Sequence, residues 1–260
     1  MRTIVYGNGK SRQKWNVNEK LDNVVTWGCN RIFNDVKVDN LVAVDYHVQH
    51  LIYESGYAHE NKCWFADWNK LPQYFHDTIR HTYEYTNIIE NKRGNRQNCV
   101  INGKQEEPNK GLYITWVDER DMVRDVDIPR EWSSGTTAIH LACRHGASEI
   151  YLMGFDLSAN PLNNMYLEGK KEQMPSNPED FCERLDWANQ LKNTFGNFPD
   201  VQFIWVGASE QTIDFWKQSL VYGIYDDKYA PNKHGANSVT FQFNNLIHLT
   251  YDNIRRNICR

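Results

Sequence analysis

The stretch Ile4-Val5-Tyr6-Gly7-Asn8-Gly9-Lys10-Ser11-Arg12 decides the fold, because it joins a buried strand to a glycine-rich turn. A second stretch, Ser133-Ser134-Gly135-Thr136-Thr137-Ala138-Ile139-His140, opens a helix with small hydroxyl residues. The chain then runs on to Glu149-Ile150-Tyr151-Leu152-Met153-Gly154-Phe155-Asp156, a strand that ends in Gly-x-Asp. Such strand and helix ends offer free backbone N–H groups, with which α/β sheets commonly hold a phosphate. Together the stretches predict a nucleotide-binding domain.

Short Val- and Ile-rich segments alternate with helical stretches along the chain. Apolar runs without polar alternation are typical of parallel strands that are covered on both faces. Ser133 or Ser134 would cap the predicted helix at 135–145, and Gly146 would end it. The alternation predicts an α/β fold with an open, doubly wound, mostly parallel, Rossmann-like sheet. The predicted strands are 3–6, 23–27, 41–45, 63–66, 112–117, 149–153 and 201–206, and the predicted helices are 48–55, 135–145, 180–195 and 210–218.

Two segments interrupt this alternation within a domain that we expect to span 1–260. Residues 90–110 are polar and predict a loop or a hairpin. Residues 158–178 follow Gly-x-Asp and are rich in proline and asparagine. Long connections of this kind inside compact domains are commonly lids or linkers, so we expect a mobile lid there. We expect residues 220–260 to form a C-terminal extension. The partial alternation at 238–249 predicts one further strand or helix there, and this element could form a contact in a homo-oligomer.

The composition argues against several classes of protein. The formal net charge of -4 is unlike that of a nucleic-acid-binding protein with a broad basic face. The six cysteines are widely spaced without a C-x-x-C pair, which argues against a zinc site. No apolar run approaches the roughly 18 residues that span a bilayer, so we expect no membrane span. We also expect no targeting segment, and therefore reduced, buried thiols and a cytoplasmic location.

The turn after the first predicted strand contains the candidate phosphate-binding residues Gly7, Asn8, Gly9 and Ser11. It matches neither G-x-G-x-x-G nor the P-loop pattern, so an ordinary tight turn is an equally good interpretation. The Asn8 amide can donate to a phosphate oxygen and accept from a sugar hydroxyl. Asn30 follows the second strand, at the edge of the sheet where open α/β folds bind ligands. Simple turn formation is the alternative for both asparagines.

The start of the predicted helix at 135–145 is a second candidate for phosphate binding. Ser134, Gly135 and Thr136 lie in its first turn, where the N–H groups lack helical partners and the dipole is positive. An ordinary helix cap is the alternative. Gly154 and Asp156 end the next strand, where an acid often binds ribose hydroxyls; a helix cap or a structural acid is the alternative there.

Other polar residues are weaker candidates. Asp125-Val126-Asp127 resembles the D-x-D with which many nucleotide-sugar transferases hold a divalent ion. It precedes Pro129 without a clear strand before it, and we predict no metal site. His140 and His145 lie on one predicted helix, which favours structural roles. His234, in Pro231-Asn232-Lys233-His234-Gly235, lies in a predicted loop and is our candidate for a catalytic general base.

These motifs, taken in order, resemble those of a known family. Gly-Asn-Gly-x-Ser, Cys-Asn, Ser-Gly at a helix start and Glu-Ile-Tyr-Leu-x-Gly-x-Asp are similar to the bacterial sialyltransferases of the Campylobacter type. A wider group that includes pterin diphosphokinase-like proteins is similar in the same motifs. The resemblance covers roughly residues 1 to 160. It implies a sialyltransferase-like α/β fold, a CMP-activated sugar as donor substrate, and chemistry that needs no metal.

The resemblance also implies roles for particular residues. Asn8 and Asn30 would meet the nucleotide phosphate or sugar, and Ser134 with Gly135 would hold the phosphate. Gly154 and Asp156 would meet the nucleoside. Arg130 corresponds to the arginine upstream of Ser-Gly, and Tyr166 to a tyrosine that donates to the leaving phosphate. Met174-Pro175-Ser176-Asn177 stands where the family has its catalytic lid histidine.

The sequence thus predicts a glycosyltransferase that moves a sugar from a nucleotide-activated donor to a glycan or another hydroxyl acceptor. The nucleotide sugar is its substrate, and no cofactor is expected. A diphosphotransferase of pterin type, which would need ATP and Mg²⁺, is the alternative enzyme. A non-catalytic nucleotide-binding or assembly module is the third possibility.

Overall fold

The computed structural model describes most of the chain in two compact units, Met1–Val42 with Glu131–Arg260, and Ala43–Arg130. The residues that it describes are 1–19, 22–45, 48–49, 51–52, 55–66, 69–70, 86–90, 97–101, 112–115, 123–125, 132–158, 163–166, 178–219 and 243–258. The strands, in chain order, are β1 (Arg2–Tyr6), β2 (Val24–Cys29), β3 (Asn40–Ala43), β4 (Cys63–Phe65), β5 (Asn69–Lys70), β6 (Thr86–Glu90), β7 (Gln97–Ile101), β8 (Leu112–Thr115), β9 (Val123–Asp125), β10 (Glu149–Met153), β11 (Gln202–Val206) and β12 (Leu246–Leu249). The helices with printed bounds are α1 (Tyr57–Glu60), α2 (Ser134–Arg144), α3 (Pro178–Asn197), α4 (Glu210–Gln218) and α5 (Tyr251–Ile258), with short 3-10 helices at Lys10–Lys14 and Asn30–Asn34.

The first unit is built on a parallel sheet with the order β12-β11-β10-β1-β2-β3. Every neighbouring pair in this order runs parallel. From β1 the chain moves outward through β2 and β3; later it returns to β10 on the other side of β1 and moves outward again. The direction of winding therefore reverses between β1 and β10. This Rossmann-like arrangement confirms the predicted α/β fold with an open parallel sheet.

The core of the first unit lies on the two central strands. Ile4 and Val5 of β1 and Leu152 and Met153 of β10 have no exposed surface. Consecutive residues of a strand point to opposite faces, so burial of neighbouring residues means that both faces of the sheet are covered. The apolar runs at 3–6 and 149–153 form strands for this reason.

Helices α2, α3 and α4 agree with the predicted helices at 135–145, 180–195 and 210–218. Helix α2 packs against β1, β2 and α3. It ends at Arg144, and Gly146 follows with a left-handed φ of 85°, which glycine adopts without strain. In the region predicted as a C-terminal extension, β12 joins the sheet beside β11, and α5 follows it. Helix α5 was not predicted.

The second unit contains strands of both orientations. β4 runs parallel to β9, and β5 runs parallel to β8. β6 pairs antiparallel with β7, and β7 pairs antiparallel with β8, so the polar region around 90–110, predicted as a loop or a hairpin, contains one strand of a hairpin. The predicted strand at 112–117 contains β8. The buried Gln49 side chain donates to the Ala43 and Ala66 carbonyl oxygens, each at 2.9 Å. Among the described residues, no helix is long and apolar enough to cross a bilayer.

Candidate functional site

A cleft lies at the point where the winding of the sheet reverses. It opens at the carboxyl ends of β1 and β10, and the N-terminus of α2 faces it. Its empty volume is about 710 Å³, including the part that is open to solvent. Open α/β sheets bind ligands at this position. The lining residues are Gly7, Asn8, Gly9, Cys29, Asn30, Ser133, Ser134, Gly135, Thr136, Gly154, Phe155, Asp156, Leu157, Ser158, Asn163, Asn164, Trp187 and Leu191. All the predicted nucleotide-binding residues except Ser11 are among them.

The glycines after β1 and β10 let two loops approach each other closely. The Gly7 N–H donates to the Met153 carbonyl at 2.8 Å, and the Gly9 N–H donates to the Gly154 carbonyl at 2.9 Å. A Cβ on Gly7 would lie 2.5 Å from the Gly154 oxygen. Gly154 also has a left-handed backbone conformation, with a φ of 78°, which glycine adopts more easily than other residues. Packing between the loops therefore accounts for these glycines, and it fixes the floor of the cleft.

Asp156 fastens the loop after β1. One carboxylate oxygen accepts from the Ser11 backbone N–H at 3.0 Å and from the Asn163 amide at 3.0 Å. The other accepts from the Ser11 hydroxyl. The Ser11 N–H lies in the first turn of the 3-10 helix Lys10–Lys14, so Asp156 caps that helix from a distant part of the chain. Both oxygens are thus engaged with protein groups, as expected for the alternative of a structural acid, and Ser11 serves this contact.

Asn8 and Asn30 both present amides to the cleft. Asn30 has a φ of 53°, a left-handed conformation that asparagine tolerates better than most residues. Its Oδ1 is buried and has no hydrogen-bond partner in the described part of the chain. The Asn8 Oδ1 accepts from the Cys29 thiol at 3.8 Å, and in the same described part its Nδ2 makes no hydrogen bond. Buried polar atoms are normally paired, so the Asn30 Oδ1 has capacity for a ligand, and the half-buried Asn8 amide can still donate.

The first turn of α2 supplies a backbone donor. Ser133 is the N-cap, and its Oγ accepts from the Thr136 N–H at 3.3 Å. The Gly135 N–H has no hydrogen-bond partner among the residues that the structure describes. The first turn contains no acidic residue that would neutralise the positive end of the helix dipole. A Cβ on Gly135 would lie 3.0 Å from the Phe155 ring, so glycine keeps this turn accessible.

One wall of the cleft is apolar and was not predicted. Phe155 and Leu157 come from the segment after β10, and Trp187 and Leu191 come from α3. Leu157 is buried with a φ of 45°, an uncommon conformation for a residue without glycine's freedom. Trp187 has the spacing along α3 of a residue that packs in the core. The sequence alone therefore gives no indication that its side chain lines a cleft.

Of the three predicted catalytic residues, Tyr166, Arg130 and His234, the structure describes only Tyr166. The Tyr166 hydroxyl donates to Asp35 and accepts from Arg12 Nη2 at 2.5 Å, and Tyr166 is not a lining residue. Arg130 and His234 lie outside the described residues. The predicted lid at 158–178 is described only at residue 158, at 163–166 and from Pro178, where α3 begins.

His140 and His145 both lie against aromatic rings, and three of the described cysteines are buried. His140 is buried edge-on to the Trp132 and Phe198 rings, with centroid distances of 5.5 and 5.0 Å. Burial, and then the charge of Arg144, lower the pKa of His140 to about 4. The His145 ring lies 5.7 Å from the Trp27 ring. The thiols of Cys29, Cys63 and Cys143 are buried, as predicted.

The D-x-D motif is Asp125-Val126-Asp127, where we predict no metal site. Asp125 ends strand β9, so a strand does precede this motif, while Asp127 lies outside the described residues. Within the described part of the chain, no group of three or more His, Cys, Asp or Glu side chains has the geometry to hold a metal ion.

The chain matches no protein-family model, no curated protein and no solved structure. The chemistry of the cleft therefore follows from the residues that line it. Its lining contains no lysine, arginine or histidine among the described residues. The groups that could hold an anion are the α2 N-terminus and the neutral amides, which bind through hydrogen bonds and a partial positive charge.

Proposed function

We propose that the cleft binds the phosphate of a nucleotide, and that the protein transfers a sugar from a nucleotide-activated donor to a hydroxyl acceptor. The observation that supports this best is the combination, at one cleft, of a helix N–H in the first turn of α2 with the Asn8 amide and with the buried Asn30 Oδ1, which has no partner in the described part of the chain. The Gly135 N–H can donate to a phosphate oxygen, and Asn8 can add a second donor. An α/β fold with the winding reversal at this cleft agrees with such a ligand.

Asn30 supports a nucleoside beside the phosphate. Its buried Oδ1 has no partner in the described part of the chain, and a buried acceptor without a partner costs about 1–3 kcal/mol. A sugar hydroxyl or an amino group on the base would remove that cost by donating to it. The apolar wall formed by Phe155, Leu157, Trp187 and Leu191 offers a surface for a flat ring.

The proposed reaction is a displacement at the anomeric carbon of the donor sugar. The bond between this carbon and the phosphate oxygen breaks, and a bond to the acceptor oxygen forms. The departing phosphate gains negative charge, which the α2 N-terminus can stabilise. The acceptor hydroxyl loses its proton to a base, and His234 is the candidate that we propose for it. Arg130, upstream of α2, is the candidate for a cationic contact to the phosphate.

The proposal is tested by ligand-dependent stabilisation. Thermal unfolding is followed with CMP, CDP, UDP, GDP and ATP, each with and without Mg²⁺. A ligand at a hundredfold excess over its dissociation constant adds about 2.7 kcal/mol to stability. We expect CMP to raise the melting temperature without metal. Stabilisation by ATP with Mg²⁺ alone would favour the diphosphotransferase, and no shift with any nucleotide would reject a nucleotide site.

The same assay locates the site through a matched pair of asparagines. Asn30 and Asn23 both have left-handed φ angles, 53° and 59°, but only Asn30 lines the cleft. Replacing either by alanine introduces a similar backbone strain. We expect Asn30→Ala to weaken CMP binding about tenfold, close to 1.4 kcal/mol, and Asn23→Ala to leave it unchanged. Equal affinities for the two variants would exclude Asn30 from the site.

Transfer itself is tested with His234→Ala. Loss of a general base typically lowers a rate by about 10² to 10⁴. We expect CMP affinity to persist while donor consumption in the presence of hydroxyl acceptors falls by that factor. CMP binding by the wild-type protein without any donor consumption would leave the non-catalytic nucleotide-binding module as the function.

A further inference from the structure

A polar cluster, formed by the buried Arg12, the exposed Asp35 and the half-buried Tyr166, lies outside the lining of the cleft. We call it the anchor cluster. Arg12 is only 1% exposed, and its Nη2 lies 3.2 Å from the Asp35 carboxylate. The same nitrogen donates to the Tyr166 hydroxyl at 2.5 Å, and that hydroxyl donates to Asp35. The hydroxyl therefore bridges the two charges.

Each member of the anchor cluster follows a segment that lines the cleft. Arg12 belongs to the 3-10 helix Lys10–Lys14, just after Asn8. Asp35 ends the 3-10 helix Asn30–Asn34, which begins at the cleft asparagine itself. Tyr166 follows the lining residues Asn163 and Asn164. One set of hydrogen bonds thus joins three segments that are distant in sequence and that supply most of the amides of the cleft.

The segment that contains Tyr166 is also bonded directly to the loop after β1. The Met165 N–H donates to the Asn8 carbonyl at 2.9 Å, and Gly9 forms an antiparallel bridge with Asn164. The Asn163 amide donates to Asp156 at 3.0 Å. A shift of Tyr166 would therefore be transmitted to the backbone of Asn8.

The hydroxyl of Tyr166 is important because the charge of Arg12 is buried. A buried guanidinium is tolerated only where carboxylates and hydrogen-bond acceptors surround it, and the Arg12 Nε has no partner in the described part of the chain. Burial, followed by the hydrogen bond to Asp35, raises the pKa of Tyr166. Tyr166 thus stays protonated at neutral pH and keeps donating to Asp35.

We propose that Tyr166 is a positioning residue, through which the anchor cluster sets the spacing of the Asn8 and Asn30 amides and so controls nucleotide affinity. This proposal rests on the proposed function of the cleft. It differs from the role that the family resemblance implies, since Tyr166 acts through Asn8 and Asn30 and does not donate to the phosphate.

The test compares Tyr166→Phe with Tyr151→Phe. Tyr151 is a suitable control because its hydroxyl also donates to a carboxylate, that of Glu149, and it does not line the cleft. Two quantities are measured for each variant. The first is the dissociation constant of CMP, and the second is the set of side-chain amide NMR signals of Asn8 and Asn30 without nucleotide.

We expect Tyr166→Phe to weaken CMP binding about fivefold and to shift both asparagine amide signals, and Tyr151→Phe to change neither. A loss of affinity without a shift of the amide signals would overturn the proposal, because Tyr166 would then contact the nucleotide itself. Equal effects of the two variants would also overturn it, because both tyrosines would then be merely structural.

The two proposals fail in distinguishable ways. If the wild-type protein does not bind CMP, the proposed function fails, whereas the amide signals of the nucleotide-free variants still report whether the anchor cluster positions Asn8 and Asn30. If CMP binds and the amide signals of Tyr166→Phe do not move, only the positioning role fails.

Discussion

Helices α2 and α4 begin with the same hydrogen bonds but have different surroundings. Ser133 caps α2 and Ser209 caps α4, and each Oγ accepts from the N–H of a threonine three residues later, at 3.3 and 3.1 Å. Each serine also bonds to that threonine's hydroxyl, at 3.0 and 2.9 Å. The caps alone give no reason to expect a ligand at one helix and not at the other.

The difference lies in what faces each first turn. Helix α4 has its own acid there, Glu210, and the Thr212 hydroxyl donates to the Asp156 carbonyl at 2.9 Å. Helix α2 has no acid in its first turn and has a glycine, Gly135, at the cleft. Helix α4 thus has an acid of its own to complement the positive end of its dipole, whereas the first turn of α2 has none.

The largest expected effect concerns the interior of α2, which contains buried His140, whereas α4 contains no histidine. The pKa of His140 is lowered to about 4 in the folded protein, from 6.5. Between these values the unfolded chain binds more protons, so stability is complete above about pH 6.5 and is lost as the pH falls towards 4. The expected loss by pH 4 is about 3 kcal/mol. Urea unfolding at a series of pH values measures it.

The control for this prediction is His140→Phe, which keeps an aromatic ring between Trp132 and Phe198. This variant should lose about 3 kcal/mol less than the wild-type protein between pH 6.5 and 4. Identical pH dependence in the two proteins would show that other groups cause the acid sensitivity.

The next effect tests the comparison by giving α2 the acid that α4 already has. Gly135→Asp should weaken CMP binding about tenfold or more, close to 1.4 kcal/mol, because its carboxylate repels the phosphate. Gly135→Ala is the control, since it adds the same Cβ near Phe155 without the charge. Calorimetric titration of both variants measures the affinities. An aspartate variant that binds CMP as well as the alanine variant would remove α2 from the phosphate site.

A smaller effect is expected from removing each cap. Ser133→Ala and Ser209→Ala should each lower the free energy of unfolding by about 1 kcal/mol, because the two caps make the same hydrogen bonds. Only Ser133→Ala should also weaken CMP binding. Chemical denaturation and calorimetry, run on both variants, separate the two quantities. If both variants lose affinity equally, the cap acts through global stability.

The smallest effect concerns the acid of α4. Glu210→Gln removes a charge that favours the positive helix end, so stability should fall by about 0.3–1 kcal/mol at low salt. Salt screens exposed charges, and the difference should shrink as the ionic strength rises. CMP affinity should stay the same. Thermal unfolding at two salt concentrations measures this, and a salt-independent difference would argue against a dipole effect.

Local patterns made much of the fold predictable. The strands at 3–6 and 149–153 and the helices at 135–145 and 210–218 follow from short apolar runs and serine caps, which act within a few residues. The edge at which Asn8 and Asn30 both lie follows from the common direction of parallel strands. Such features need no knowledge of distant contacts.

Contacts between segments that are far apart in the chain could not be predicted from the sequence. Asp156, which lines the cleft and is predicted to meet the nucleoside, also binds Ser11, 145 positions away, and no local pattern indicates that contact. Tyr166 was considered as a donor in the cleft, and its hydroxyl instead joins Arg12 and Asp35. In both cases a polar residue has several chemically reasonable partners, and the packing of the loops selects one of them.

The most direct test of the α2 site is an NMR titration of protein labelled with [15N]glycine. Gly135 reports on the first turn of α2, and Gly207, which precedes α4, is the internal reference. On addition of CMP without metal, we expect the Gly135 amide signal to move until the site is saturated, while the Gly207 signal stays in place. A Gly135 signal that does not move, or equal movement of both signals, would contradict it.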